Sequence, residues 1–179
     1  ATTPEATEGA ADNTLAFTIS QNNVSNFDTE VSVSLGTDNA VDAADINQIS
    51  YTVDGVADVV ITDPTEIADF LATGSVTIPA GSTFTPVITI TAKDDTIFEN
   101  SEDLVLDIDT DTDFASVSPT EGSATGTILD EDQADNAQDN PDNTDDPINT
   151  TDGDKPVVSI EATTPEATEG AADNTLAFT

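Results

Sequence analysis

The sequence predicts an all-β protein that folds as an antiparallel β-sandwich of about seven strands, with one short inserted helix near residues 64–72. Apolar and polar side chains alternate along much of the chain, which is the period of a strand with one buried face. The alternating runs are short, and residues that favour turns separate them. Short strands joined by turns are typical of antiparallel sandwiches, whereas parallel sheets need long crossover connections.

The predicted strands follow one another in order from the start of the chain to Leu129, each with large apolar residues at every second position. In one of them Leu104, Leu106 and Ile108 share a face, between Asp103 and Asp109. The predicted strands cover residues 14–20, 31–35, 49–53, 74–79, 85–92, 103–109 and 122–129.

Residues 64–72 break the alternation and predict a helix. Ile67, Phe70 and Leu71 are spaced i, i+3 and i+4, so they lie on one helical face. Asp63 is a typical N-cap residue, Pro64 suits the first helical position, and a capping box places a glutamate three residues after the cap. The helix therefore interrupts a chain that is otherwise made of strands and turns.

The charge of the chain is strongly one-sided. Its 37 acidic residues face two basic ones, Lys93 and Lys155, and the net charge is −35. Nucleic acid binding depends on Lys and Arg, so this composition excludes it. The chain contains no His and no Cys, which removes the common nucleophile–base pairs and the Cys and His metal sites. We therefore expect no enzymatic activity, and no apolar run predicts membrane insertion of this segment.

The opening segment of the chain returns, unchanged, at its end. Residues 1–18 and 162–179 are identical, so that Ala162 repeats Ala1 and Thr179 repeats Thr18. A period of this length matches a whole domain with a spacer, so we expect a segment of a longer tandem array. We expect three parts: a sandwich at 1–132 that lacks its first strand, an acidic linker at 133–155, and the first strands of the next repeat at 156–179. The linker's like charges repel and favour an extended chain.

Acidic residues concentrate at three places in the predicted sandwich. One is the loop at 94–103, one is the end of the last strand at 130–132, and the third is Glu8 before the first strand. Ca²⁺ takes six to eight oxygen ligands from carboxylates, carbonyls and water, at about 2.3–2.6 Å. Without a cation, each close pair of carboxylates would repel by about 4 kcal/mol at an effective dielectric near 20. Spacing alone leaves a second interpretation open, in which each run is a solvated acidic turn.

Two of these acidic runs, with the strands beside them, resemble the Calx-β domain family. The resemblance is carried by the strand and Pro-x-Gly turn at 74–82, the strand at 87–92, the acidic loop at 94–102 and the closing run at 125–132. It implies an immunoglobulin-like sandwich that binds calcium at one tip. The residues that match family ligands are Glu8, Asp94, Asp95, Ile97 through its carbonyl, Glu99, Glu102, Asp130, Glu131 and Asp132, with Glu169 as the second copy of Glu8.

The chain departs from the family pattern in its middle. The acidic motif there is shorter and lacks the family's Gly and Tyr, so Asp38, Asp42 and Asp45 remain alternative ligand candidates. The stretch 46–73, which holds the helix, looks like an insertion.

Two functions remain open at this point. The first is a calcium-binding extracellular tandem repeat, acting as a spacer or stalk in a large bacterial adhesin or surface filament. The alternative is a calcium-dependent module that binds carbohydrate or protein. The first predicts a secreted or cell-surface location, where calcium at 10⁻⁴–10⁻³ M fills modules of this kind.

The expected partners are neighbouring copies of the same repeat. The first copy lacks the residues that precede the second copy, Lys155 and the apolar run 156–161. A sandwich without its first strand has an open edge. We therefore expect Val157–Glu161 to join the next unit, so that units dock head to tail, or to complete another chain by strand addition.

Overall fold

The computed structural model of the chain describes residues 1–95, 97, 99–110, 115–130, 160–164 and 177–178. The predicted acidic linker therefore lies outside the described residues, as do Glu131, Asp132 and Glu169. In the described part of the chain, no helix is long and apolar enough to cross a membrane.

Two facing sheets and one helix make up the chain as far as Asp130, which confirms the predicted all-β sandwich. One sheet has the strand order β1-β9-β8-β3-β6, and the other has the order β2-β7-β4-β5. The elements are β1 (Glu5–Thr7), β2 (Thr14–Thr18), β3 (Thr29–Leu35), β4 (Ile46–Tyr51), β5 (Val59–Ile61), α1 (Pro64–Thr73), β6 (Gly74–Ile78), β7 (Val87–Ala92), β8 (Glu102–Thr110) and β9 (Ser123–Leu129).

The inner faces of the two sheets form the core, and they do so through the alternation seen in the sequence. Leu15 of β2, Ile49 of β4, Ile90 of β7 and Leu104 of β8 are completely buried. Their neighbours along each strand face outward and are more exposed, as the pleat of a strand requires. Each of the seven predicted strands corresponds to an observed strand.

Helix α1 connects the outermost strand of one sheet to the outermost strand of the other. Asp63 caps it: its side chain accepts hydrogen bonds from the backbone N–H groups of Thr65 (2.9 Å) and Glu66 (3.3 Å). The apolar face predicted for it is buried, and the Phe70 ring stacks on Tyr51 with centroids 5.4 Å apart. The helix thus closes the core along this side of the sandwich.

The start of the chain crosses from one sheet to the other. Thr3 forms a bridge with Ala16 of β2, and β1 then pairs with β9, parallel to it. This is the one parallel pairing among the described strands. Because β1 ends beside the end of β9, the crossing carries Glu8 to the same end of the sandwich as Asp130.

The second copy of the repeated sequence shows the same local pairing as the first. Strand β10 (Ala162–Thr164) pairs antiparallel with β11 (Ala177–Phe178), and Thr164 lies opposite Ala177. Thr164 and Ala177 repeat Thr3 and Ala16, which form the corresponding bridge in the first copy. The bridge between Thr3 and Ala16 thus recurs between the equivalent residues of the second copy.

Candidate metal site at the acidic tip

One end of the sandwich collects most of the carboxylates that the sequence singles out. Strands β1, β7 and β9 end there, and β4 and β8 begin there. We call this end the acidic tip. Its members are Glu8, Asp42, Asp45, Asp95, Glu99, Glu102 and Asp130.

Asp130 is the most deeply placed of these carboxylates. It follows β9 directly, and its residue surface is only 4% exposed. Its Oδ2 accepts a hydrogen bond of 3.0 Å from the backbone N–H of Glu99. This contact holds the acidic loop, which follows β7, against the end of β9. A buried carboxylate requires hydrogen bonds or a cation, so Asp130 anchors the tip.

Glu8 reaches the tip from the first strand. Its backbone N–H donates to the carbonyl of Leu129, 2.9 Å away, which extends the pairing of β1 with β9. The residue is 8% exposed. Gly9 follows with a φ of 64°, a left-handed conformation that glycine adopts without strain, so the chain turns away immediately after Glu8.

The loop before β4 brings two more carboxylates to the tip. The Asp45 carboxylate accepts a hydrogen bond from Asp42 N–H (2.7 Å), and the Asp42 carboxylate accepts one from Ala44 N–H (2.6 Å). These local bonds are typical of Asx turns. The backbone N–H of Lys93 donates to the Asp45 carbonyl at 2.9 Å, which docks this loop against the acidic loop.

Lys93 is a tip residue that sequence reasoning did not assign to the site. Its ammonium lies 3.8 Å from Asp95 Oδ2 and donates a hydrogen bond of 3.1 Å to the carbonyl of Ala44. Both side chains of the ion pair are partly exposed, so the pair is only moderately shielded from water. Its position next to Asp94, in a chain with two basic residues, is the signal that could have identified it.

The electrostatics of the tip show that carboxylates from separate segments act on one another. Partial burial raises the pKa of Glu99 above its usual range, and the charges of Asp45, Asp95 and Asp130 raise it further, while Lys93 opposes them. Burial also raises the pKa of Glu102, with Asp45, Glu99 and Asp42 adding to the effect. Like charges close together disfavour ionisation. Residues distant in sequence thus share one electrostatic environment.

Three other predicted site residues occupy exposed loop positions. Asp38 and Asp94 are exposed to solvent, and so is the side chain of Ile97, whose N–H donates to Asp95 Oδ1 at 2.8 Å. The acidic tip thus consists of Glu8, Asp42, Asp45, Asp95, Glu99, Glu102 and Asp130, whereas Asp38 and Asp94 lie at exposed positions.

Among the described residues, no three carboxylates stand close enough together to form a ready-made metal cluster. The tip carboxylates therefore affect one another's pKa values from distances longer than those within a metal coordination shell. The side-chain atoms that could bind a metal at the tip are all oxygens, which are the ligands that hard cations prefer.

Comparisons with known proteins identify similar folds but no family. No family model matches the chain, and no curated protein matches it. Three similar solved structures are the CBD12 of CALX1.2 (16% identity, TM-score 0.46), the apo form of the Calx CBD1 domain (16%, 0.44) and the calcium binding domain CBD12 of CALX1.1 (17%, 0.40).

Each similarity covers 72% of this chain. The matched region is 91% of the CBD1 domain, but only 41% and 42% of the two CBD12 chains, so the chain spans about two fifths of those proteins.

Proposed function

We propose that the chain binds calcium at the acidic tip and serves as a structural spacer, one unit of an extracellular tandem repeat in a large bacterial surface protein. The observation that carries the proposal is the electrostatic interaction, at one end of the sandwich, of carboxylates from three separate segments. Asp45 precedes β4, Glu99 lies in the loop after β7, and Asp130 follows β9. The charges of Asp45 and Asp130 both raise the pKa of Glu99, and Lys93 nearby opposes this effect only in part.

The ligand atoms at the tip suit a calcium ion because they are oxygens and carry negative charge. Calcium accepts carboxylate, carbonyl and water oxygens in a flexible shell, so it tolerates side chains that must move inward to reach it. The residues that would hold it are Asp45, Asp95, Glu99, Glu102 and Asp130. Bound calcium would supply the positive charge that offsets their mutual repulsion, and the three segments would then be tied together at one point.

Repetition and charge support the role of a spacer at the cell surface. Identical sequence at 1–18 and 162–179, with an equivalent bridge in both copies, is what an array of equal units would contain. Millimolar calcium outside the cell would fill sites with dissociation constants of about 10⁻⁴–10⁻³ M. We assign residues 1–132 to one unit, 133–155 to the linker and 156–179 to the start of the next unit.

Replacing Asp130 with asparagine tests the proposal. Asp130→Asn keeps the shape of the side chain and an oxygen acceptor for Glu99 N–H, but it removes the charge. In the unaltered chain, 10 mM calcium should add about 1.4–2.7 kcal/mol per ion to the free energy of unfolding. The variant should lose most of this gain, measured by thermal unfolding with and without calcium.

Asp58→Asn is the matched control for this experiment. Asp58 is exposed in the turn between β4 and β5, away from the tip, and its replacement changes the net charge by the same amount. The control should keep the full calcium response. If Asp130→Asn and the unaltered chain respond equally to calcium, the acidic tip is not the binding site.

A further inference from the structure

We propose that the sandwich bears tension along the chain, and that residues 2–8, which we call the clamp segment, are the part that resists it. A pull on the chain slides this segment along strands β2 and β9, so its backbone hydrogen bonds must break together. The use of such resistance rests on the proposed function, because a spacer in a longer chain is pulled from both sides. The resistance itself comes from backbone pairing and needs no calcium, so the two proposals can fail separately.

The chain enters the sandwich at one end and leaves it at the other. Thr2 lies beside Thr18, the last residue of β2, and their hydroxyl oxygens are 3.3 Å apart. Thr18 pairs with Val87, where β7 begins, so this is the end opposite the acidic tip. Strand β9 ends at Leu129, and Asp130 follows it at the tip. A pull on the chain from both sides therefore acts along the strands.

The first part of the clamp segment is bonded to one sheet, through β2. The backbone N–H groups of Thr2 and Thr3 donate to the carbonyl of Ala16, at 2.7 and 3.2 Å. The N–H of Ala16 donates to the Thr3 carbonyl at 3.1 Å, and the Thr2 hydroxyl donates to the Ala16 carbonyl, also at 3.1 Å. These bonds lie across the direction of the pull, so they are strained together.

The second part of the clamp segment is bonded to the other sheet, through β9. The N–H of Thr127 donates to the Pro4 carbonyl at 2.8 Å, and the N–H of Glu8 donates to the Leu129 carbonyl at 2.9 Å. Between these two bonds, Glu5–Thr7 pairs with β9 residue by residue. On its other side β9 pairs with the longer strand β8. The clamp segment thus joins both sheets, and its bond to the strand from which the chain leaves is direct.

The parallel direction of β1 and β9 decides how the force acts on this pair. Parallel neighbours begin at the same end of the sheet, so a chain pulled at the start of β1 and at the end of β9 drives the strands past each other. The bonds between them then share the force. An antiparallel pair of first and last strands would be pulled at a single end, and its bonds would open one after another.

Burial adds to the resistance of the second part of the clamp segment. Ala6, Thr7 and Glu8 are all buried. A hydrogen bond that breaks in the interior receives no replacement from water, so it costs more to break than an exposed one. The bonds that carry the force are therefore shielded from competing water.

Single-molecule stretching of the full chain, in a calcium chelator, tests the direction of the pull. The chain has no cysteine, so introduced cysteines define the two points of attachment. One protein is held by a cysteine added at each end of the chain. The second is held at the same C-terminal cysteine and at Ala11→Cys. Ala11 is exposed in the turn after the clamp segment, so this attachment pulls from the tip and peels β1 away from β9.

The first protein should unfold at about twice the force of the second or more, because several bonds share the force in one case and a single bond carries it in the other. Urea unfolding should give the two proteins equal free energies of unfolding. The difference in force then comes from the direction of the pull and not from stability.

Two substitutions at one position test whether the bonds between β1 and β9 resist the force. Thr127 donates its N–H to Pro4 and its hydroxyl to the Asp103 carboxylate, 2.9 Å away. Thr127→Pro removes both bonds, whereas Thr127→Val removes only the second. Held by its two ends, Thr127→Pro should lose about a quarter or more of the unfolding force, since few bonds span the pair. Thr127→Val should unfold at the force of the unaltered sequence.

Two results would overturn the proposal. Equal unfolding forces for the two attachments would show that the clamp segment gives no resistance along the chain. Equal forces for Thr127→Pro and Thr127→Val would show that the pairing of β1 with β9 does not carry the force. If Thr127→Pro does not fold, the comparison of the two attachments decides alone, because it leaves the clamp segment unaltered.

Discussion

At the scale of single residues, Lys93 acts as a built-in counterion for the acidic tip. Of the two lysines in the chain, it contacts Asp95, whereas Lys155 lies outside the described residues. Calcium would compete with this lysine, because both are attracted by the same carboxylates. Lys93→Gln should therefore lower the free energy of unfolding without calcium by up to about 1 kcal/mol, the usual range for an exposed pair.

The same substitution should strengthen calcium binding, since it removes a positive charge from the site. Calorimetric titration should show a dissociation constant lower than that of the unaltered chain. Lys155→Gln changes the net charge equally and serves as the control. It should leave the free energy of unfolding and the calcium dissociation constant unchanged. Weaker calcium binding in Lys93→Gln would contradict the placement of the site.

The two glutamates with raised pKa values predict a pH dependence for the calcium-free chain. A carboxyl group whose pKa is raised on folding binds its proton more tightly in the folded state. Its contribution to stability is complete below the ordinary value near 4.5 and is lost as the pH rises through the raised value. The free energy of unfolding should therefore increase as the pH falls from 7 towards 5.

Urea unfolding at several pH values measures this effect. In Glu99→Gln with Glu102→Gln, the increase towards pH 5 should be smaller than in the unaltered chain. A matched variant, Glu30→Gln with Glu121→Gln, removes two exposed glutamates at the opposite end of the sandwich and should keep the slope. Equal slopes in all three proteins would assign the pH dependence to the chain's overall charge instead.

The acidic tip could be predicted from the sequence only in part. The run from Asp95 to Glu102 and the strand end at Asp130 are dense enough in charge to be noticed. The contribution of Asp45 depends on its docking against Lys93, a contact between segments that no spacing encodes. Asp103 belongs to the same acidic run, but it lies opposite Thr127 in the register and accepts that hydroxyl's hydrogen bond at 2.9 Å.

At the scale of elements, helix α1 depends on its N-cap. The Asp63 carboxylate satisfies two backbone N–H groups that have no partner within the helix. Asp63→Ala should lower the free energy of unfolding by about 1 kcal/mol, within the range of about 0.5–2 kcal/mol for such caps. Urea unfolding followed by circular dichroism measures it.

Asp69→Ala is the control for the cap, because it makes the same change in the exposed middle of the helix. Alanine is a better helix former than aspartate, so this variant should be as stable as the unaltered chain or slightly more stable. If both variants lose the same free energy, the loss at Asp63 does not come from the cap.

The longer strands and the helix could be predicted from the sequence because apolar residues recur along each of them with the period of that element. Strands β1 and β5 have three residues each, too few for an alternation to be recognised. The parallel pairing of β1 with β9 joins the two ends of the sandwich sequence, such as Glu5 with Thr127, and local pattern carries no information on it.

At the scale of the whole molecule, two kinds of electrostatic stabilisation can be separated. The net charge of −35 opposes compaction, and any salt reduces this repulsion. The screening length falls from about 10 Å at 0.1 M to about 3 Å at 1 M salt, so sodium chloride should raise the melting temperature gradually over this range. A specific calcium site should instead saturate within a few millimolar, as the expected dissociation constants imply.

The decisive measurement compares the two salts in the unaltered chain and in Asp130→Asn. At equal ionic strength, calcium should raise the melting temperature of the unaltered chain more than sodium does. In Asp130→Asn the excess due to calcium should disappear while the response to sodium chloride remains, since screening acts on all 37 acidic residues and not on one site. If both salts raise the melting temperature of the unaltered chain equally, calcium acts only by screening charges, and the tip is a solvated acidic surface.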